Sequence, residues 1–206
     1  MAKRVEKARS NIRGWSDVIR RQGERTREEN AKVTDLFIGI DPGVTGCIAT
    51  CGKNLSNPQI LDMPRIGKGS KWMMDYGVLK EWLLPQVRLR QSFGISRQVF
   101  AVLELVHSQP TDGVAGSFSF GRAREAMEAV LAFSNVPYVL VPPAKWMGHF
   151  KIKRTPNKSG SVTEAKRLYG HAPELLTVKR LVCTQAQLPN RSDALLMAAY
   201  AHHLRG

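Results

Sequence analysis

Phe37-Ile38-Gly39-Ile40-Asp41-Pro42-Gly43-Val44-Thr45-Gly46-Cys47-Ile48-Ala49 decides the reading of this chain. A short apolar run, Leu36 to Ile40, ends on an acid. A Pro-Gly turn follows, and a second β-branched run begins after it. The first run has the length and composition of a buried strand. Asp41 then stands at a strand's carboxyl end, where open α/β sheets place their chemistry. The glycines permit a sharp turn and the close approach of a ligand or a nucleic-acid backbone. The same residues also fit a plain hairpin in which Asp41 only begins an Asx turn.

Outside this stretch, charge is the strongest signal. The chain has 206 residues, with 31 Lys plus Arg against 17 Asp plus Glu, a formal net charge of +14. That excess points to a polyanionic partner, nucleic acid first. With 43% hydrophobic residues there is material for one domain with a core, plus extensions. The longest apolar runs are strand-sized, so no membrane span is expected. Residues 1–34 are charged rather than apolar, which does not fit a secretory leader. Cys47, Cys51 and Cys183 have no zinc spacing and fit packing roles in a reduced compartment. A cytoplasmic location is expected, that of a bacterial host cell if the gene is a phage's, with an organelle still open.

Residues 1–34 carry ten basic residues and five acids, a net of +5. They read as a basic arm, flexible or partly helical, with Ile12, Trp15, Val18 and Ile19 on one helical stripe. Residues 35–206 read as the folded domain. Strands are expected at Leu36–Ile40, Gly46–Cys51, Gln59–Met63, Val99–Glu104 and Tyr138–Val141. A basic loop follows the third strand, with Lys68 and Lys71 as candidate DNA contacts. Helices are expected at Asp75–Leu89, with Pro85 weakening its end, and at Phe118–Phe133, Ala144–Phe150, Ser161–Tyr169 and Asn190–Leu204. Leu105 to Gly116 reads as a long loop. The order is that of an α/β sheet with an antiparallel first meander and helices on both faces. The helix Phe118–Phe133 has two apolar stripes, one for the sheet and one for a partner.

Three acids fall at equivalent kinds of place. Asp41 ends the first strand and Glu104 the fourth, and Asp193 lies in the first turn of the last helix. If the first and fourth strands are neighbours, the carboxylates converge. Clustered carboxylates repel one another. A pair of Mg²⁺ ions, which prefer hard oxygen ligands, removes that cost and supports phosphodiester cleavage. The basic stretch Lys151, Lys153, Arg154 and Lys158, with Lys166 and Arg167, follows the fifth strand and suits phosphate contact. Trp72 and Trp146 read as core residues.

The chain resembles the RuvC-type Holliday junction resolvases of the RNase H-like superfamily, closest in pattern to their phage and chloroplast relatives. The matching residues are Ile38 to Gly46, then Val102-Leu103-Glu104. Next come Gly116-Ser117-Phe118-Ser119-Phe120-Gly121-Arg122, and last Arg191-Ser192-Asp193-Ala194-Leu195-Leu196-Met197-Ala198. The resemblance spans about residues 36–204. It implies an RNase H-like five-stranded mixed sheet and a metal site of Asp41, Glu104 and Asp193 for two Mg²⁺ ions, with Mn²⁺ able to substitute. It also implies paired symmetric nicks across four-way DNA. Lys158 matches a lysine that can steady transition-state charge. A homodimer is implied, joined through the helix after Glu104, with Phe120, Ala126, Met127, Ala129, Val130 and Phe133 as candidate contacts. Arg122 is a further candidate DNA contact. Two positions depart from the bacterial pattern. Asn190 replaces an acid, and is either a weak metal ligand or a helix N-cap. His107 replaces an aromatic and can stack on a base or remain a plain loop histidine.

Two other readings use the same residues. One is a protein of this fold that grips branched DNA without cutting it. The other is an actin-like or sugar-kinase ATPase, since Asp41-x-Gly43-x-Thr45 fits a phosphate-binding turn, although 206 residues leave no room for a second lobe. No nucleotide cofactor is expected on the nuclease reading.

Overall fold

The central strand β1 (Leu36–Asp41) is buried along its whole length and has neighbours on both edges. This computed structural model describes residues 35–43, 45–67, 73–91, 98–105, 113–155, 158–177 and 184–205. The arm 1–34, the loop lysines Lys68 and Lys71, Trp72, His107 and Cys183 therefore lie outside the described residues. The described ones belong to one unit, Thr34–Gly206.

Strands β2 (Cys47–Cys51), β3 (Gln59–Asp62), β6 (Val99–Glu104) and β7 (Tyr138–Val141) complete a five-stranded sheet in the order β3-β2-β1-β6-β7. β1 to β3 form an antiparallel meander, while β1–β6 and β6–β7 are parallel. A two-stranded ribbon, β4 (Arg65–Ile66) with β5 (Met73–Met74), lies in what the sequence suggested was only a basic loop. Helix α1 (Tyr76–Gln91) joins the meander to β6, and α2 (Val114–Phe133) joins β6 to β7. Then come α3 (Pro143–His149), α4 (Ser159–Leu168), a 3₁₀ turn at Pro173–Leu176 and α5 (Leu188–Arg205).

Side chains alternate across a strand, so the sheet separates two apolar clusters. Leu36, Ile38 and Ile40 of β1 and Ala101 and Leu103 of β6 pack under α1 and α2 with Leu79, Leu83, Met127 and Leu131. Phe37, Phe100 and Val102 face the other way, onto Trp146, Tyr169 and the apolar run Ala194–Ala199 of α5. By the same alternation Asp41 and Glu104 point to the α5 face. Gly39 is on that face too. A Cβ there would run into Ala194 O, Ala198 N and the Met197 carbonyl carbon, so only glycine lets the α5 backbone lie on β1.

Several boundaries differ from expectation, each for a local reason. α1 continues through Pro85 to Gln91, because Leu83 and Val87 on either side of the proline are both buried and hold the last turns. At its start, Asp75 Oδ1 accepts from the N–H groups of Gly77 and Val78 at 3.1 Å each. α2 begins at Val114, four residues early, taking in Gly116. α4 begins at Ser159, so the basic linker is shorter than expected.

α5 begins at Leu188, so Asn190 is inside the helix and is not its N-cap. The start is set instead by Thr184 and Gln187. Thr184 N–H donates to Gln187 Oε1 at 2.9 Å, and Gln187 N–H donates to Thr184 Oγ1 at 3.3 Å, a capping box. No helix among the described residues is long and apolar enough to cross a membrane.

Candidate active site

Parallel pairing of β1 with β6 places Ile40 opposite Leu103. Asp41 and Glu104 are each one residue further on, side by side at the carboxyl ends of neighbouring strands, on the face covered by α5. Asp193 immediately precedes Ala194, whose carbonyl lies over Gly39. The strand alternation, the β1–β6 register and the glycine contact thus gather the three acids at one end of the sheet.

Asp41 is 9% exposed and Asp193 4%, while Glu104 is half-buried. Asp41 Oδ1 accepts from Gly43 N–H at 3.3 Å, so the Asx turn does form, and the same carboxylate faces the cluster. A Cβ on Gly46 would collide with Asp41 O and Gly43 N, so the turn needs glycine there. Burial pushes the Asp41 carboxyl above its ordinary value, and the charge of Asp193 adds to this, while Lys158 opposes it. Burial pushes Glu104 up to about 7, helped by the charge of Asp41; the Trp146 bond works the other way. These are the signs of carboxylates crowded where water is scarce.

Lys158 stands among them. Its Nζ donates to Asp193 Oδ2 at 2.5 Å and to Asn190 Oδ1 at 3.1 Å. Burial opposes its charge, yet Asp193, Asp41 and Glu104 together raise its pKa above the ordinary value. Its backbone has φ 50 and ψ 28, a left-handed conformation that costs energy for a residue with a Cβ. Asn190 is a bridge: its Nδ2 donates to Thr45 O at 2.7 Å and Thr45 Oγ1 at 3.2 Å, tying α5 to the turn after Asp41.

Two residues at the site were not expected there. Trp146 is 1% exposed, as a core residue should be, but its Nε1–H donates to Glu104 Oε1 at 3.1 Å. Nothing in the spacing of a lone tryptophan announces such a bond. Arg191 is buried and holds Asp62, at the end of β3, through Nε and Nη2, both at 2.7 Å. Gln187 Nε2 donates to the same Asp62 at 2.5 Å, so the first turn of α5 is fastened to the sheet. The Arg-x-Asp spacing at Arg191–Asp193 was the available signal.

Other expected residues are not part of this cluster. Lys151, Lys153, Arg154, Lys166 and Arg167 are exposed. Arg167 is engaged by Glu164 at 2.6 Å. Arg122 lies on α2, against the opposite face of the sheet, with its guanidinium 5.9 Å from the Phe118 ring centre. On the same helix Met127 is buried in the chain's own core, while Ala126, also largely buried, lines a groove on the outer side of α2. Phe120, Ala129 and Val130 are half-buried, and Phe133 is 90% exposed.

Among the described residues no three His, Cys, Asp or Glu side chains are close enough, as they stand, to hold a metal ion together, and the Lys158 ammonium sits on Asp193. The donor set nevertheless fits a hard divalent cation. It is built of carboxylate oxygens, and Asp193 Oδ1 is buried with no hydrogen-bond partner.

The architecture is a RuvC-type fold, an α/β domain on a mixed five-stranded sheet. Among solved structures the chain is similar to T. thermophilus RuvC in complex with Holliday junction substrate, at 12% identity and a TM-score of 0.50, over 82% of this chain and 95% of that one. It also matches a Thermus thermophilus RuvC structure at 14% identity, a TM-score of 0.49 and the same coverage. No protein-family model and no curated protein matches the chain.

Proposed function

We propose that this protein is a metal-dependent endonuclease that resolves four-way DNA junctions by paired, symmetric nicks. The observation that carries the reading is the meeting of Asp41, Glu104, Asp193 and Lys158 at the carboxyl end of the sheet, within a RuvC-type fold and a chain of net charge +14. Asp41, Glu104 and Asp193 are the residues that would hold Mg²⁺, with Mn²⁺ able to replace it. Bound there, the metal supplies a nucleophilic water at neutral pH and stabilises the leaving oxygen.

The chain's own residues do the rest. Trp146 fixes one oxygen of Glu104, which leaves the other for the metal. Lys158 has three N–H donors, of which two go to Asp193 and Asn190, and the third is left for a phosphate oxygen. Its side chain is 42% exposed, so DNA can reach it. Charge that builds on the phosphate during hydrolysis is then met by a fixed ammonium. Water adds to phosphorus, one P–O bond breaks, and the departing sugar oxygen takes a proton. Lys151, Lys153, Arg154 and Lys166 supply phosphate contacts along the same side, and their contribution falls with salt.

A junction has two equivalent strands to cut, which calls for two sites related by a two-fold axis. The support for a homodimer is the apolar groove between α1 and α2. It is lined by Tyr76, Phe118, Ala129 and, further along, Leu84, Val130 and Phe133. The actin-like reading finds no second lobe among the described residues.

Incubating the protein with a synthetic four-way junction and Mg²⁺ tests the proposal. Two nicks at symmetric positions are expected. Tight junction binding with no cutting would leave the DNA-gripping reading in its place.

A further inference from the structure

We propose that this active site works with one divalent cation per chain, and that the Lys158 ammonium takes the place of the second. The inference rests on the metal-nuclease reading above and departs from the two ions implied by resemblance.

Charge is the first argument. Asp41, Glu104 and Asp193 carry three negative charges when ionised, and Lys158 carries one positive charge. The remainder of two negative charges is matched by a single divalent cation. Two such cations would leave the protein side of the site two charges positive, more than the single charge of the scissile phosphate offsets, with an ammonium beside them.

Position is the second. Lys158 Nζ lies between Asp193 Oδ2 and Asn190 Oδ1, at 2.5 and 3.1 Å, which are ligand positions for any cation placed there. Asn190 is held in the orientation this needs. Thr45 O can only accept, so the amide must present its NH₂ group to it and its oxygen to the ammonium. An aspartate at 190 could not make that pair of bonds, because it has no donor for Thr45 O.

The third argument is what remains. Asp193 Oδ1, the oxygen not used by Lys158, is buried and unpartnered. Asp41 and Glu104 contact no cationic side chain directly among the described residues; the bonds they make are with Gly43 and Trp146. One oxygen of Asp193 with Asp41 and Glu104 is a donor set for one hard cation. Lys158 has a left-handed backbone at the start of α4, and its ammonium reaches α5 through Asn190 and Asp193.

The test is electron paramagnetic resonance of Mn²⁺ in the full-length protein bound to a four-way junction with slowly cleaved phosphorothioate linkages around the branch. Two Mn²⁺ about 4 Å apart give an exchange-coupled spectrum, which ions scattered along DNA do not. The wild type is expected to show protein-bound Mn²⁺ without coupling, and Lys158→Met/Asn190→Asp to gain the coupled pair. As a check that needs no variant to fold, the single-turnover cutting rate of the wild type should rise hyperbolically with Mg²⁺. Lys158→Met alone should cut about 10²-fold more slowly. A coupled pair in the wild type, a sigmoidal Mg²⁺ dependence, or full-rate cutting by Lys158→Met would overturn the inference and leave the nuclease reading standing. Wild-type protein that binds no Mn²⁺ beyond that of the DNA alone would sink both.

Discussion

Glu104 shows how the site is held against its own stability. Its carboxyl is raised from 4.5 to about 7 by burial and by Asp41, so the folded protein binds a proton that the unfolded chain has released. The group's contribution to stability is therefore full below about pH 4.5 and is lost as pH rises through about 7. At pH 8 without metal the ionised carboxylate destabilises the fold by about 3 kcal/mol at most. Glu104→Gln removes that cost and keeps the Trp146 bond. In EDTA at pH 8 its thermal midpoint should exceed the wild type's by several degrees, and at pH 4 the two should coincide. Equal midpoints at pH 8 would contradict the burial argument. In the wild type, Mg²⁺ should raise the midpoint, because it binds only the folded site.

The same residues separate chemistry from affinity. Asp41→Asn, Glu104→Gln and Asp193→Asn should each abolish cutting, while junction binding survives or tightens as negative charge is removed beside phosphates. Gel-shift and cleavage assays on the same preparations check this. Full-rate cutting by any of the three would remove that residue from the metal site.

At the scale of elements, the site depends on how closely α5 lies on β1. Gly39→Ala forces a methyl into the α5 backbone and should destabilise the protein by about 3 kcal/mol or more. Arg191 secures the start of the same helix through Asp62. Arg191→Ala should cost about 2 kcal/mol and also slow cutting, since Asp193 is two residues further along. Chemical denaturation gives the first number and single-turnover cleavage the second. A large loss of stability with unchanged cutting in the surviving folded protein would show that Arg191 only supports the fold.

At the scale of the whole molecule, the groove between α1 and α2 is where a second copy is expected. Phe133 is 90% and Phe118 66% exposed there, an unusual display of aromatic surface. Phe133→Glu and Ala129→Glu should give soluble monomers that lose junction-selective binding and keep weak, salt-sensitive binding to any duplex. Light scattering at assay concentration reads the first effect, and competition binding reads the second. A wild-type protein that is monomeric on a junction would rule the dimer out. Ala126 is a poorer position for this test, because it lines the groove but is 8% exposed, so a glutamate there would also disturb the core.

The sequence by itself determined the sheet and put Asp41 and Glu104 at the ends of two of its strands. Apolar runs ending in Asp41 and Glu104 are strand signals that depend only on local period and composition, and the order of strands and helices leaves few topologies open. Local pattern does not carry the partner of a side chain. That Trp146 bonds Glu104, that Asn190 spans Thr45 and Lys158, and that Arg191 grips Asp62 are facts about residues 42, 145, 32 and 129 positions apart along the chain. The start of α5 follows the local capping signal Thr184-x-x-Gln187, which competed with Asn190 as a cap; the Asn190 amide goes instead to the turn after Asp41, a contact that local pattern does not carry. The face that α2 buries was likewise undecided, since both its stripes are apolar. Packing against Leu79 and Leu83 of α1 and the β1–β6 strands settled it, because burial belongs to the assembled core and not to the helix alone.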